Sequence, residues 1–192
     1  MMESFKHDES IIVFTYKDAN GLIKYKGSSA WKLNKKRAAK CKYLICTHNQ
    51  SHPMVKNSSI KHGTAFLIGK ISKIIPALAS RDLHRALIEF DEYAEISIPG
   101  VWKGWRNPVV YKHTKDLDVD LNNINFIKAP DRDNDFVAKD IKEYDNYLGL
   151  NNSKEENKVD LSTKGISIPD AKRGLSLYYD IEEENIEIIL KG

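Results

Sequence analysis

The sequence predicts an α+β protein, mainly β, built as a small, partly open β-barrel with flanking helices and a C-terminal helix–strand appendage. Three observations lead to this class: apolar, β-branched stretches recur between residues 10 and 112, helical patterns are few, and the connections are long. A length of 192 residues suits one compact domain with a small appendage. We therefore expect a barrel domain over residues 1–130, an acidic helical and linker segment over 131–160, and a helix–strand module over 161–192.

Five strands are predicted for the barrel domain from stretches rich in Ile, Val, Phe and Thr. They cover Ser10–Tyr16, Lys42–Thr47, Thr64–Ile75, Arg85–Ile98 and Pro108–Lys112. The third is apolar almost throughout, which predicts burial on both faces, and its Gly69 predicts a bulge or a close backbone approach. Between the first two strands we expect a turn at Asn20–Gly21 and a short helix over Trp31–Lys40, capped by Ser28 or Ser29.

Beyond about residue 130 the chain becomes polar and acidic, with one predicted helix over Phe136–Leu148 and a hydrophilic linker over Asn151–Lys158. A second helix is expected after Ser167, its N-cap, with Pro169 in its first turn. The apolar face of this helix would consist of Ile168, Ala171, Leu175 and Tyr178. Alternation over Asn185–Leu190 predicts a closing strand. Because so small a module buries too little apolar surface to be stable alone, it should dock on the barrel or on a protein partner.

The charges are distributed unevenly along the chain. No Asp or Glu occurs between Asp18 and Asp82, a stretch that holds thirteen of the thirty Lys and Arg residues, whereas the remainder has seventeen basic against twenty-seven acidic residues. Such a segment sets up a field that attracts polyanions, and nucleic acid (DNA or RNA) is the first candidate. The alternative is a solvated basic face that meets acidic segments of its own chain. The residues expected to hold phosphates are Lys35, Lys36, Arg37, Lys40, Lys56, Lys61 and Arg106.

Aromatic and polar side chains offer a candidate base-binding wall. The loop over residues 99–108 holds Trp102 and Trp105 beside two basic residues, and indole faces stack on nucleobases. The alternative is that one of these indoles plugs the barrel end and the other packs on a strand. The predicted base pocket consists of Trp31, Trp102 and Trp105 for stacking and of Thr47, His48 and Asn49 for reading the base edge. The last three are equally suited to closing a turn.

A metal-dependent nuclease is the first alternative function. Glu89 and Asp91 are two residues apart on a predicted strand, so they share a face and are able to bind a divalent cation, with Lys70 supplying positive charge. Alternating charges on an outer strand face need no catalytic explanation, however. The glycines match neither Walker nor dinucleotide-binding spacing. We therefore favour a protein that is not an enzyme and has no cofactor and no metal.

The two cysteines, Cys41 and Cys46, are five residues apart, and on one strand an odd separation would send their side chains to opposite faces. This argues against a disulfide or a shared metal, and free thiols fit a reducing cytosol. The first ten residues are polar, and no apolar run is long enough to cross a bilayer. A cytoplasmic protein without membrane contact is expected.

A family resemblance adds to these predictions. The stretch His62–Pro76, following Tyr43–Asn49, resembles the central strands of PUA-like barrels, the superfamily of EVE, ASCH and YTH domains. The resemblance covers about residues 10 to 115. The whole chain also resembles a bacterial protein family that shares the stretches Gly104–Pro108 and Ala171–Leu175.

The resemblance implies a pocket between two strands that holds a flipped or modified base. It also implies an alternative activity, because some ASCH-like domains are hydrolases or ribonucleases; the analogous catalytic group here would be Thr47, Lys70 and Glu89. A third hypothesis is a protein–protein interaction module that engages its partner through the C-terminal segment.

Overall fold

The computed structural model describes residues 9–55, 58–117, 120–150, 167–179 and 181–189. Over these residues it contains seven strands and four α-helices, so the α+β, mainly β class is confirmed. The strands are β1 (Glu9–Thr15), β2 (Gly27–Trp31), β3 (Tyr43–His48), β4 (Ala65–Pro76), β5 (Ala86–Ile98), β6 (Val109–His113) and β7 (Ile127–Lys128). The helices are α1 (Ala19–Tyr25), α2 (Lys35–Ala38), α3 (Asn134–Tyr147) and α4 (Ile168–Tyr179).

The strands form one mixed sheet with the order β2-β5-β4-β3-β1-β6, and β7 pairs with β5. Strands β1 and β3 run parallel, with Ile12 opposite Ile45, and the other pairs are antiparallel. The sheet is not closed, because β2 and β6 form its two edges in the part of the chain described.

Both faces of the sheet are buried against the rest of the chain. One core cluster contains Ile11, Val13, Leu44, Cys46, Phe66, Ile88 and Phe90. The other contains Ile12, Ile45, Ile68, Ala94 and Trp102. Because successive strand residues face opposite sides, two buried faces require apolar residues at nearly every position of the central strands. The predicted double burial of the 64–75 strand is confirmed for Ala65–Gly69 of β4. The close approach at Gly69 is confirmed too, since a Cβ there would lie 2.7 Å from ring atoms of Phe90.

The segment between β1 and β3 differs from the prediction. Where a turn was expected at Asn20–Gly21, the chain forms α1, because the Asp18 side chain accepts a hydrogen bond from the Gly21 N–H and caps the helix. Ser28 and Ser29 cap nothing: they belong to β2, which pairs with β5. The following helix is only Lys35–Ala38, and its N-cap is Asn34, which accepts from the Arg37 N–H.

The C-terminal segments are partly as predicted. Helix α3 packs on α1, burying Val137 and placing Phe136 edge-on against Tyr25 with ring centroids 6.3 Å apart. Helix α4 is confirmed. The closing strand over 185–190 is wrong for residues 185–189: Asn185 ends a 3-10 turn that begins at Glu183, and residues 186–189 join no ladder. Alternation alone does not make a strand without a partner to pair with. The predicted linker and Leu190 lie outside the described residues.

Both cysteines are free and buried. They belong to the same core cluster, so the expectation of opposite faces was wrong; Cys41 precedes β3, and strand alternation therefore does not relate it to Cys46. Burial raises the pKa of the Cys46 thiol well above its ordinary value, so the thiol stays protonated.

Candidate functional site

A cavity of about 400 Å³ lies where the ends of β1 and β2 meet the β4–β5 connection and α3. Its ring-bearing lining residues are Phe14, Tyr16, Tyr25, Trp31, His52 and Tyr144. Its charged and polar lining residues are Lys17, Ser29, Asn49, Arg81, Asp82, Arg85 and Asp140. We call it the tyrosine cavity. A concave site of this size, with many apolar surfaces and a few polar groups, is typical of small-molecule sites.

Tyr16 is the centre of the aromatic wall. Its ring stacks on His52 at a centroid distance of 4.2 Å and on Tyr144 at 5.7 Å, with interplanar angles of 14° and 10°. On β2, the Trp31 Nε1–H donates to Ser28 Oγ at 3.0 Å, which orients the half-buried indole. The lining therefore presents several oriented rings to one space, an arrangement suited to a planar aromatic ligand.

A partly buried ion pair forms one side of the cavity. The Lys17 ammonium contacts the Asp140 carboxylate, and the Tyr25 hydroxyl donates to the same carboxylate at 2.7 Å. The Lys17 side chain is only 9% exposed, and its Nζ lies 4.6 Å from the Tyr25 ring centroid. Burial lowers the pKa of Lys17, although Asp140 acts in the opposite direction.

The phenols of Tyr16 and Tyr25 and the imidazole of His52 favour their neutral forms near pH 7. Burial raises the pKa of Tyr16, and Asp140 adds to this effect. Burial also raises the pKa of Tyr25, followed by its hydrogen bond to Asp140. For His52, burial lowers the pKa below its ordinary value, which favours the uncharged ring.

Two arginines of the connection between β4 and β5 line the cavity. Arg81 contacts Asp145 of α3 and lies 3.4 Å from Asp82, while its guanidinium is 5.4 Å from the Tyr144 ring centroid. Arg85 is exposed; it lies 3.3 Å from Asp82 and donates to the Ala30 carbonyl oxygen at 3.2 Å. Each cation of the lining thus meets a carboxylate, so the lining is close to electrically balanced.

Asn49 contributes a side-chain amide to the lining. Its backbone N–H donates to Thr15, which fixes the residue at the end of β3. Its half-buried side chain lines the cavity and makes no hydrogen bond within the described part of the chain. An amide has two donors and an acceptor, so it is able to pair with the edge of a heterocycle.

Of the six residues predicted for the base pocket, Trp31 and Asn49 line this cavity. Thr47 is fully buried and donates to the Val13 carbonyl oxygen at 2.8 Å. His48 is 1% exposed and lies edge-on to Phe66, and neither of its ring nitrogens has a partner among the described residues. Burial, and secondarily His62, lowers the pKa of His48.

The two tryptophans of the 99–108 loop lie elsewhere. Trp102 is 9% exposed and stacks on Phe14 at 4.5 Å with an interplanar angle of 2°. Trp105 is half-buried and packs edge-on against Trp102 at 5.0 Å. The structure thus separates these indoles from Trp31 and places Trp102 in the core, whereas Trp105 stays partly exposed.

Helix α2 carries three of the seven predicted phosphate contacts, and Lys40 lies just beyond it. It buries Ala38 on one side and leaves Lys36 and Arg37 exposed, with Lys40 exposed just beyond it and Lys35 half-buried. Lys36 and Lys40 form no ion pair within the described ranges. Arg37 lies over the Tyr111 ring at 4.3 Å.

The other predicted phosphate contacts are dispersed. Lys61 and Arg106 are exposed on separate loops, and Lys56 lies outside the described residues. Part of the basic stretch is neutralised by its own chain: Lys24 pairs with Asp133, Lys26 with Asp91, Lys70 with Glu92 and Arg81 with Asp145. The alternative, a basic face that meets acidic segments of its own chain, therefore holds for these four residues.

The structure does not bring together the three residues of the hydrolase alternative. Thr47 is bound to the backbone of β1, Lys70 contacts Glu92 at 2.6 Å, and Glu89 contacts Arg132. Asp91, the proposed second metal ligand beside Glu89, is exposed and pairs with Lys26 at 3.5 Å. No group of three or more potential metal ligands occurs among the residues that the structure describes.

Most of the cavity lining was not predicted from the sequence, including Tyr16, Lys17, Tyr25, His52, Arg81, Arg85, Asp140 and Tyr144. One signal was available: Asp140 and Tyr144 are four residues apart, so they share one face of α3. Nothing local in the sequence links that face to Tyr16 and Lys17.

Comparison of the chain with protein-family models, with curated proteins and with solved structures found no match in any of the three. None of the described helices is long and apolar enough to cross a membrane.

Proposed function

We propose that this chain binds nucleic acid by accepting one unstacked base into the tyrosine cavity. The observation that carries the proposal is the combination of oriented rings with the unpaired amide of Asn49 in one space of about 400 Å³. Rings supply stacking partners for any base, and the amide supplies hydrogen bonds to its edge. Removing a base from its stack costs a few kcal/mol, which these two kinds of contact offset.

The charge balance of the cavity favours a neutral ligand. Lys17, Arg81 and Arg85 each meet a carboxylate, and the phenols of Tyr16 and Tyr25 stay protonated. An isolated anion placed there would compete with Asp82 and Asp140 for these cations. A base carries no charge, so it fits the interior, while the phosphates of the same strand stay outside.

Exposed lysines near the cavity would hold those phosphates. Lys32 directly follows Trp31, α2 with Lys36 begins a few residues later, and Lys40 lies just beyond α2. Lys32, Lys36 and Lys40 are exposed and make no ion pair in the part of the chain described. Cations of this kind bind a polyanion without sequence preference, and base selection is left to the cavity.

We further propose that the sheet is a partly open PUA-like barrel, with β2 and β6 as the edges that face each other. Three contacts support this. The Tyr111 hydroxyl of β6 donates to the Asn34 carbonyl oxygen just after β2, at 3.3 Å, and Arg37 covers the same tyrosine ring. Trp31 of β2 and Val109 of β6 also pack in one core cluster. The tyrosine cavity would then lie at the mouth of the barrel.

Replacing Asn49 with alanine should weaken oligonucleotide binding by about tenfold or more, since a bidentate amide–base contact is worth about 1–3 kcal/mol. Stability should be unchanged, because the Asn49 side chain makes no hydrogen bond in the described part of the chain. Fluorescence anisotropy with end-labelled single-stranded DNA and RNA at two salt concentrations measures the effect. The salt slope should be about −0.7 per phosphate contacted and the same in both proteins.

The matched control is Gln50→Ala. Gln50 is the next residue, is exposed, and accepts from the His62 N–H at 3.3 Å without lining the cavity. This variant should bind like the unmodified chain. Equal affinity in all three proteins would contradict the assignment of the cavity, and absence of binding to either nucleic acid would contradict the proposed function itself.

A further inference from the structure

A second cavity, of about 290 Å³, lies in the segment that covers the opposite face of the sheet. Its aromatic and charged lining residues are Trp105, Lys103, Lys112 and Asp116. Ile98 and Val101 form apolar parts of its wall. We call it the tryptophan cavity. It contains none of the residues that line the tyrosine cavity.

The Trp105 ring has a fixed position in this cavity. It packs edge-on against the buried Trp102, with an interplanar angle of 84°, and the Lys112 ammonium lies 6.0 Å from its centroid. Because Trp105 is only half-buried, part of its ring is left for a ligand. An indole held on one side and flanked by a cation is a suitable stacking surface for a base that carries a phosphate.

The charge of this cavity differs from that of the tyrosine cavity. Lys103 and Lys112 are exposed and form no ion pair in the described residues, and Asp116 is the one carboxylate of the lining. Gly100 and Gly104 adopt φ angles of 67° and 74°, and a Cβ at either would meet nothing within 4 Å. The loop backbone is therefore open to a ligand at both glycines, and the excess positive charge favours an anionic one.

A row of rings joins the two cavities. Phe14 lines the tyrosine cavity and stacks on Trp102, which in turn contacts Trp105 of the tryptophan cavity. The two sites are thus separated by two successive ring contacts, of 4.5 and 5.0 Å. A single strand a few nucleotides long is able to span such a separation, whereas the bases of a continuous duplex stay stacked in its interior.

We infer that the tryptophan cavity is a second nucleotide subsite, which stacks a base of the same single strand on Trp105 and holds its phosphate on Lys103 and Lys112. This inference rests on the proposed function, because the tyrosine cavity anchors the strand. The partner is therefore single-stranded nucleic acid, bound at two points.

The experiment compares a single-stranded dinucleotide with a hexanucleotide of the same repeating sequence. The unmodified chain should bind the hexanucleotide at least tenfold more tightly. The Lys103→Gln/Lys112→Gln double variant should lose most of that gain, and its hexanucleotide salt slope should fall in magnitude by about 1.4, because two phosphates no longer meet a lysine. Its affinity for the dinucleotide should stay the same. Trp105→Phe, which preserves an aromatic ring, should retain more affinity for the hexanucleotide than Trp105→Ala.

The control variant is Lys73→Gln/Lys128→Gln, which removes the same charge from exposed positions on β4 and β7. It should keep the hexanucleotide affinity and salt slope. If the Lys103/Lys112 variant behaves like this control while both oligonucleotides still bind, the second subsite is wrong and the proposed function stands. If no oligonucleotide binds the unmodified chain, the proposed function fails and this inference fails with it.

Discussion

Replacing Asp140 with alanine should lower the free energy of unfolding by about 3 kcal/mol, the lower end of the range for breaking a buried ion pair by removing one partner. The reason is that the Lys17 ammonium would stay largely buried without a carboxylate partner. The Lys17 side chain is 9% exposed, and Asp140 is the carboxylate it contacts; Tyr25 loses a hydrogen-bond acceptor at the same time. Urea unfolding followed by circular dichroism measures the loss.

Two comparisons separate this effect from a general weakening of α3. Glu143→Ala removes an exposed carboxylate of the same helix, which faces Lys139 at 4.0 Å, and should cost less than about 1 kcal/mol. The double variant Lys17→Met/Asp140→Leu removes both charges and should be clearly more stable than Asp140→Ala. If Asp140→Ala is as stable as Glu143→Ala, the buried pair contributes nothing and the assignment is wrong.

The loss in Asp140→Ala should depend on pH. Burial already lowers the pKa of Lys17 in the folded chain, and removal of Asp140 takes away the carboxylate that opposes this effect. Between the lowered pKa of Lys17 in the folded chain and its ordinary pKa in the unfolded chain, the unfolded chain binds more protons. Stability therefore rises with pH in that interval. The deficit should therefore be largest near neutral pH and shrink as pH rises toward the ordinary lysine pKa.

The second large effect is expected for Gly27→Ala. A Cβ at this position would lie 2.3 Å from the carbonyl oxygen of Ile88, which belongs to the backbone of the neighbouring strand β5. Since a backbone oxygen cannot turn aside as a side chain does, β2 has to move away from β5. Overpacking of this kind typically costs about 1–3 kcal/mol, and contact with backbone places it at the upper end.

This displacement should also reach the tyrosine cavity, because β2 carries Ser29, Ala30 and Trp31 into its wall. We expect Gly27→Ala to lose oligonucleotide affinity as well as stability, measured by anisotropy below the melting temperature. The matched control is Gly174→Ala in α4, where a Cβ would meet nothing within 4 Å. In a helix, alanine is more favourable than glycine by about 1 kcal/mol, so this variant should not lose stability. Equal stability of the two variants would contradict the tight β2–β5 approach.

Strands with a strong local pattern could be predicted from the sequence. β1, β3, β4, β5 and β6 lie within one or two residues of their expected bounds, because each is rich in β-branched and apolar residues. β2 could not be predicted, since its sequence Gly-Ser-Ser-Ala-Trp has little strand preference and its conformation depends on pairing with β5.

The candidate site was only partly predictable for a related reason. Trp31 and Asn49 were predicted as base-binding residues from their chemistry, and both line the cavity, but the cavity is completed by residues far away in the chain. Lys17 and Asp140 are 123 positions apart, and their contact depends on the packing of α3 against α1. Conversely, Trp102 had suitable chemistry for stacking, yet it is part of the core, where its ring lies flat against Phe14. Composition indicates which residues are able to bind, whereas packing decides which remain accessible.

The most direct test of the base-binding cavity is the indole N–H signal of Trp31 in a ¹H–¹⁵N correlation spectrum. The chain has three tryptophans, so each signal is assigned by a Trp→Phe substitution. On titration with a single-stranded dinucleotide, the Trp31 signal should shift and saturate with the affinity measured by anisotropy. The Asn49→Ala variant should need at least about tenfold more dinucleotide for the same shift. A dinucleotide that binds by anisotropy while the Trp31 signal stays unmoved would contradict the account.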